Sequence, residues 1–170
     1  VWGIMREQNY GRIVMTTSAT GLYGNFGQAN YGAAKLGLAG FTNSLAIEGR
    51  KNNIFVNTLA PVALTRMTED IIPPEFHNLL KPENVTPGVI FLASDKAPTG
   101  NILSAGAGSF ARAAIQESEG MFLGDGASAD DVAENWTQIS DLSSLRQLNN
   151  AADQTQKFLA QAAAVIKERG

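Results

Sequence analysis

Gly11-Arg-Ile-Val-Met-Thr-Thr-Ser18, running on through Ala19 to Asn30 into Tyr31-Gly-Ala-Ala-Lys35, reads as a strand, a loop and the start of a helix. Ile13 to Met15 is a short apolar and β-branched run of the kind buried on both faces of a parallel sheet. Gly21, Gly24 and Gly27 are expected to hold off any helix until about Gln28. From there an apolar-periodic segment begins, with Tyr31 and Lys35 four positions apart on it. That spacing places both side chains on one helix face, one turn apart, with Ser18 delivered to the same end by the strand.

This trio points to acid–base chemistry at an oxygen atom. At neutral pH a tyrosine hydroxyl acts as a base only where a cation stabilises its phenolate, and Lys35 supplies that cation. A serine hydroxyl can hydrogen-bond a carbonyl or alcohol oxygen while the tyrosine gives or takes its proton. The hydride that such a reaction moves requires a cofactor. By itself a Tyr four residues before a Lys is a weak signal, so the surrounding residues decide its meaning.

Gly11-Arg-Ile-Val, Ser18, the run Gly21-Leu-Tyr-Gly-Asn-Phe-Gly-Gln-Ala-Asn-Tyr31 and Ala33-Ala-Lys35 resemble the active-site segment of short-chain dehydrogenases/reductases, with the serine thirteen positions before the tyrosine. Within that family the same run, followed by Leu45-Ala-Ile-Glu-Gly-Arg50, is similar to the dehydrogenase part of peroxisomal multifunctional enzymes of type 2 and their bacterial relatives. The resemblance implies Ser18, Tyr31 and Lys35 as catalytic residues, with Ser18 on the substrate and Tyr31 and Lys35 also on the cofactor. It implies NAD as cofactor, NADP not being excluded, and 3-hydroxyacyl-CoA as substrate. A 3-oxoacyl-carrier-protein reductase is the nearest enzymatic alternative, and a truncated, non-catalytic fragment is the other. The implied fold is α/β: the second half of a Rossmann-type doubly wound parallel sheet with a C-terminal helical extension, divided as 1–108 and 109–170, the extension packed on the first part.

The 170 residues suffice for a sizeable core, and their composition is that of a folded domain. A formal charge of -3 gives no general attraction to nucleic acid or to an anionic membrane. With no cysteine, disulfide and thiol chemistry are excluded for this chain. With one histidine as well, a metal site would rest wholly on carboxylates, and none is expected. No apolar run approaches the roughly 20 residues that span a bilayer. The expected location is cytoplasmic, or peroxisomal if the chain belongs to a eukaryotic multifunctional enzyme, although Lys167-Glu-Arg-Gly170 is not a Ser-Lys-Leu type address.

Val1 to Gln8 reads as the end of an amphipathic helix with no earlier cap. No glycine-rich strand–helix turn for a pyrophosphate occurs; Gly106-Ala-Gly108 follows a late strand with the wrong spacing. The chain is therefore expected to be the second half of a dehydrogenase, with a free sheet edge at Arg12 to Thr17 or at Ile54 to Thr58. Asn30 to Arg50 is a helix of about five turns whose Gly32, Gly37 and Gly40 suggest close packing, either on the chain's own sheet or against another subunit. The resemblance implies a homo-oligomer.

Ile54 to Ala60 is the next buried strand, ended by Pro61. The resemblance implies cofactor contacts at Pro61, Val62 and Thr65, with Val62 standing where the family usually has glycine. Thr65 reads equally as a helix cap before Met67 to Asp70. Thr65 to Lys81 matches the family's substrate lid, and His77 within it reads as a surface or packing residue. Pro82 to Asp95 starts a helix, and Thr99 to Ser104 is the last strand. Beyond it Ser128-Ala-Asp-Asp131 is a capping box opening a helix with Val132, Trp136 and Ile139 on one face. A second helix from about Asn150 carries an apolar stripe through Phe158, Leu159, Val165 and Ile166. Both stripes need a partner surface: the same domain, a sister subunit or an acyl-CoA pocket.

Overall fold

A computed structural model describes residues 1–65 and 72–168. The chain divides into two compact units, Val1–Ala113 and Ala114–Gly170. The first contains helix α1 (Trp2–Gln8), strand β1 (Gly11–Thr16), helices α2 (Ala19–Tyr23) and α3 (Ala29–Gly49), and strand β2 (Ile54–Val62). Helix α4 (Thr86–Leu92) and strands β3 (Ile102–Gly106) and β4 (Ser109–Ala113) complete it. The strands lie in the order β1-β2-β3-β4; the first three are parallel and β4 returns antiparallel. Trp2, Met5 and Leu45 pack with Ala46, Ile54 and Val56 on one face, under α1 and α3. Leu59, Leu92 and Ala105 meet on the other face, under α4. This is the α/β, helix-flanked parallel sheet that the sequence implies.

Strand β2 is central and buried on both faces, whereas among the described residues β1 pairs on one side only, so of the two expected edges the free one is that of Arg12 to Thr17. The polar residues of β2 are satisfied internally. Thr58 donates its hydroxyl to Thr42 of α3 at 2.7 Å, and Asn57 donates its amide to the Pro98 carbonyl at 2.6 Å. Pro61 does not end the strand, which runs on to Val62. Leu59 turns its carbonyl to Thr17 N, so by alternation Pro61 faces the same side, beyond the last residue of β1, where no donor is needed. The glycines of α3 also separate into two kinds. A Cβ on Gly49 would lie 2.6 Å from the Ile54 carbonyl oxygen, whereas one on Gly37 or Gly40 would meet nothing. Those two do not serve packing on the chain's own sheet.

Strand β3, expected to be the last, instead runs to Gly106 and turns through Ala107 (φ 51°) and Gly108 (φ 75°) into β4. Two successive left-handed residues are the mark of a tight hairpin whose twist matches its strands. The boundary expected at 108 thus falls inside a hairpin, and the first unit runs to Ala113.

At the opposite end of the sheet from Ser18 stands Arg12. Its guanidinium lies 4.4 Å from the Tyr10 ring centre and 4.1 Å from that of Phe55. It donates to the carbonyls of Ser94 (3.2 Å), Gly11 (2.8 Å) and Asn53 (2.8 Å) and to Asp95 (3.1 Å). Only 7% of the side chain is exposed, against 79% for Asp95, so stacking and carbonyl contacts outweigh the screened ion pair. Arg12→Lys keeps the charge and loses the planar fork. It is expected to lower stability by about 2 kcal/mol, read as a lower urea midpoint at constant slope, while Asp95→Asn should shift that midpoint far less.

The second unit pairs strand β5 (Glu117–Ser118) with β6 (Leu145–Arg146) and carries helices α5 (Ala129–Glu134), α6 (Trp136–Ile139) and α7 (Ala151–Glu168). Ser128 caps α5, donating to Asp131 (2.6 Å) and accepting from its amide (3.2 Å), as the capping box predicts. The single helix expected next is broken at Asn135, whose amide donates to the Asp131 carbonyl at 2.8 Å. Helix α7 forms where the second helix is expected, and part of its apolar stripe lies exposed. Its Phe158, Leu159 and Ile166 are more than half exposed, while Lys157 is 3% exposed. Lys157 donates to the Ser118 carbonyl at 2.8 Å and meets Glu117 at 2.5 Å, which is why a charged residue can take the buried position. Among the described residues no helix is long and apolar enough to cross a membrane.

The acidic groups of this unit are tuned by these contacts. Lys157 beside Glu117, the Ser128 hydroxyl on Asp131, and the backbone amides of Ser143 and Asn149 on Asp141 and Asp153 all hold carboxyls below their ordinary range. Depressed carboxylates contribute stability that is complete above the unfolded value and lost as pH falls through the folded one. Acidification below about pH 4 should therefore lower the stability of residues 114–168 by a small, solvent-screened amount, as followed by their amide signals in an NMR pH titration.

Candidate active site

Strand β1 hands the chain to Thr17, which is 1% exposed and donates its amide to the Leu59 carbonyl at 2.8 Å. Ser18 follows in an extended conformation and caps α2, its hydroxyl oxygen accepting the Thr20 amide at 3.2 Å. Contrary to expectation, the glycine-rich stretch does not hold off all helix before Gln28: α2 fills residues 19 to 23, because Ser18 caps it and Gly21 has room to sit in it. A Cβ on Gly21 would lie 2.8 Å from Lys35 Cβ and 2.9 Å from the Leu36 amide nitrogen. Glycine at 21 is thus what lets α2 approach α3 at the level of Lys35.

Gly24 (φ 80°) and Gly27 (φ 72°) shape the loop to α3. Gln28 ties that loop: its side-chain oxygen accepts from Thr20 and Asn25, both at 3.0 Å, and its carbonyl accepts the Gly32 amide at 2.7 Å. The sequence marked Gln28 only as a helix start; its bridging amide had no periodic signal by which to be found.

Tyr31 lies in the first turn of α3 with 43% of its surface exposed. One turn later the Lys35 ammonium sits 5.7 Å from the Tyr31 ring centre and donates to the Thr16 carbonyl at 2.9 Å. The Thr17 hydroxyl donates to the carbonyl of Lys35 at 2.7 Å. Ser18, Tyr31 and Lys35 therefore belong to one tightly connected strand–helix–helix unit. Because the Ser18 oxygen accepts a bond, its own proton is left to donate outward.

Strands β1 and β2 are parallel, so Ser18 and Val62 leave the sheet at the same C-terminal edge, the place where doubly wound sheets bind ligands. Val62 is 48% exposed and pairs with Gly106, whose absent Cβ would lie 2.7 Å from Val62 Cβ. Thr65 is exposed, and the helix it could cap at Met67 to Asp70 lies outside the described residues, as does part of the expected lid. His77 contacts the Ile72 carbonyl through Nε2 at 2.8 Å, a local loop contact. Among the described residues no group of side chains is arranged to hold a metal ion.

Residues 1–75 match the family model described as short chain dehydrogenase. A short-chain type dehydrogenase/reductase of Mycobacterium tuberculosis is 50% identical over 84% of this chain and 50% of its own length. Peroxisomal multifunctional enzyme A of Dictyostelium discoideum is 42% identical over 94% of this chain and 36% of its own length. The structure of full-length peroxisomal multifunctional enzyme type 2 from Drosophila melanogaster superposes with a TM-score of 0.84 at 35% identity, over 94% of this chain and 30% of that one. The chain thus spans half or less of the length of these relatives. The Ser18, Tyr31 and Lys35 wording, the parallel sheet that carries it and these likenesses agree: the chain belongs to the short-chain dehydrogenase/reductase family, and within it resembles the peroxisomal multifunctional enzymes of type 2.

Proposed function

We propose that this chain is the catalytic half of a longer NAD(P)-dependent dehydrogenase that oxidises 3-hydroxyacyl-CoA to 3-oxoacyl-CoA, with NAD as the preferred cofactor. The observation that supports this most is the Lys35 ammonium beside the Tyr31 ring, one turn along α3 at the edge where Ser18 emerges. Ser18 donates its hydroxyl proton to the substrate's 3-oxygen and fixes it. Tyr31, as phenolate, takes the proton from that oxygen, and the positive charge of Lys35 stabilises the phenolate. Lys35 keeps two N–H donors beyond the one given to Thr16, which suit the hydroxyls of a ribose. Pro61, Val62 and Thr65 flank the nicotinamide end. When bound, the nicotinamide cofactor supplies the hydride acceptor. In a eukaryote the full-length protein would be placed in the peroxisome, otherwise in the cytoplasm.

Tyr31→Phe keeps the ring and removes the proton. In a polypeptide that joins this chain to a nucleotide-binding half, turnover of a 3-hydroxyacyl-CoA should fall by about 10²- to 10⁴-fold with an unchanged melting temperature. A loss under about threefold, far below that range, would remove Tyr31 from the mechanism.

The same reading includes a homo-oligomer. Gly37 and Gly40 open onto empty space beside Leu36, Phe41 and Ile47, which are 43%, 51% and 52% exposed. Small and apolar residues on an uncovered helix face suit close approach of a second copy of α3. Gly37→Leu should overpack that contact and move the full-length protein toward smaller species by light scattering; an unchanged mass would place the interface elsewhere.

A further inference from the structure

Thr17 plays no part in the chemistry above, yet it is the most deeply buried polar residue beside it. Its hydroxyl is aimed at the one residue whose placement matters most. Its exposure is 1%, and its hydroxyl donates to the Lys35 carbonyl at 2.7 Å. The preceding residue, Thr16, accepts the Lys35 ammonium on its carbonyl at 2.9 Å. Two consecutive residues of one strand end therefore hold both ends of the same lysine. The third constraint is Gly21, where a Cβ would collide with that of Lys35 at 2.8 Å.

A carbonyl oxygen has two lone pairs, so the Lys35 carbonyl can keep its place in the hydrogen-bond ladder of α3 and still accept from Thr17. The contact is thus not needed to form the helix. What it fixes is the rotation and the height of α3 against β1, and so the position of the ammonium. A lysine side chain is otherwise free over about 2 kcal/mol of rotamer entropy. Anchoring its root from Thr17 and its tip on Thr16 sets that freedom aside before any ligand arrives.

We propose that Thr17 is a positioning residue: through its hydroxyl bond to the Lys35 carbonyl it sets the Lys35 ammonium beside Tyr31. The proposal rests on the catalytic reading of Tyr31 and Lys35 given above. Thr17 touches neither substrate nor cofactor in this scheme.

The test separates hydrogen bonding from bulk. Thr17→Val keeps the shape and removes the hydroxyl; Thr17→Ser keeps the hydroxyl and removes the methyl. In the full-length enzyme Thr17→Val should lower kcat by roughly tenfold and raise the cofactor KM, with the acyl-substrate KM unchanged, and Thr17→Ser should recover both. A second readout needs no turnover. With lysines reductively 13C-methylated in the cofactor-free protein, the Lys35 signal, assigned by its loss in Lys35→Arg, should move in Thr17→Val and return in Thr17→Ser. Should Thr17→Val not fold, Thr17→Ala is read in the same way. A silent Thr17→Val with an impaired Thr17→Ser would show that the methyl matters, and would overturn the proposal, as would an unmoved Lys35 signal. Full activity in Tyr31→Phe would instead sink the catalytic reading, leaving the Lys35 signal to judge Thr17 alone.

Discussion

The pairing of β1 with β2 is the constraint from which both ends of the sheet follow. Because Arg12 stands opposite Phe55, a guanidinium on β1 can lie flat on a ring from β2. Because Thr16 stands opposite Leu59, β1 ends two residues before Pro61 and leaves that proline without a neighbour to disappoint. A slip of one residue would reverse the faces of β1, sending Arg12 into the apolar cluster under α1 and α3. It would also turn Ile13 toward Ser94 and Asp95. The buried cation thus marks which face of β1 turns away from that cluster.

Much of the first unit was legible because its signals are local and redundant. The apolar run at Ile13, the spacing of Tyr31 and Lys35, and the period of α3 each point to the same strand–helix unit. The site trio was legible by resemblance more than by physics, since a tyrosine and a lysine one turn apart are common. What stayed hidden were contacts between distant residues with no periodic trace. Gln28 as a loop tie, Gly21 as a gap for Lys35, and Gly106 as the room for Val62 each depend on a neighbour that sequence spacing does not reveal.

Helix α7 shows the opposite limit. Hydrophobic periodicity assumes that the apolar stripe faces inward, and here the inward position belongs to Lys157, neutralised by Glu117 and a backbone carbonyl. A partnered charge satisfies burial as an aliphatic residue does, but only the partner makes it visible. The glycines of α3 teach the same lesson from the other side: glycine at 49 answers a backbone oxygen, while those at 37 and 40 answer nothing within this chain.

The segment from Ser18 to Lys35 is short, whereas the pairing of β1 with β2 joins Gly11 to Ile54. Closing the first loop costs less chain entropy than closing the second, and local contacts form sooner than distant ones. The reacting groups therefore belong to the fast, low-contact-order part of the molecule. The capped turn of α2, the Gln28 tie and the Gly21 contact with Lys35 can assemble as a hairpin of helices before the sheet closes. In chain-entropy terms the reacting groups depend on the shorter loop closure, and the pairing of the sheet on the longer one.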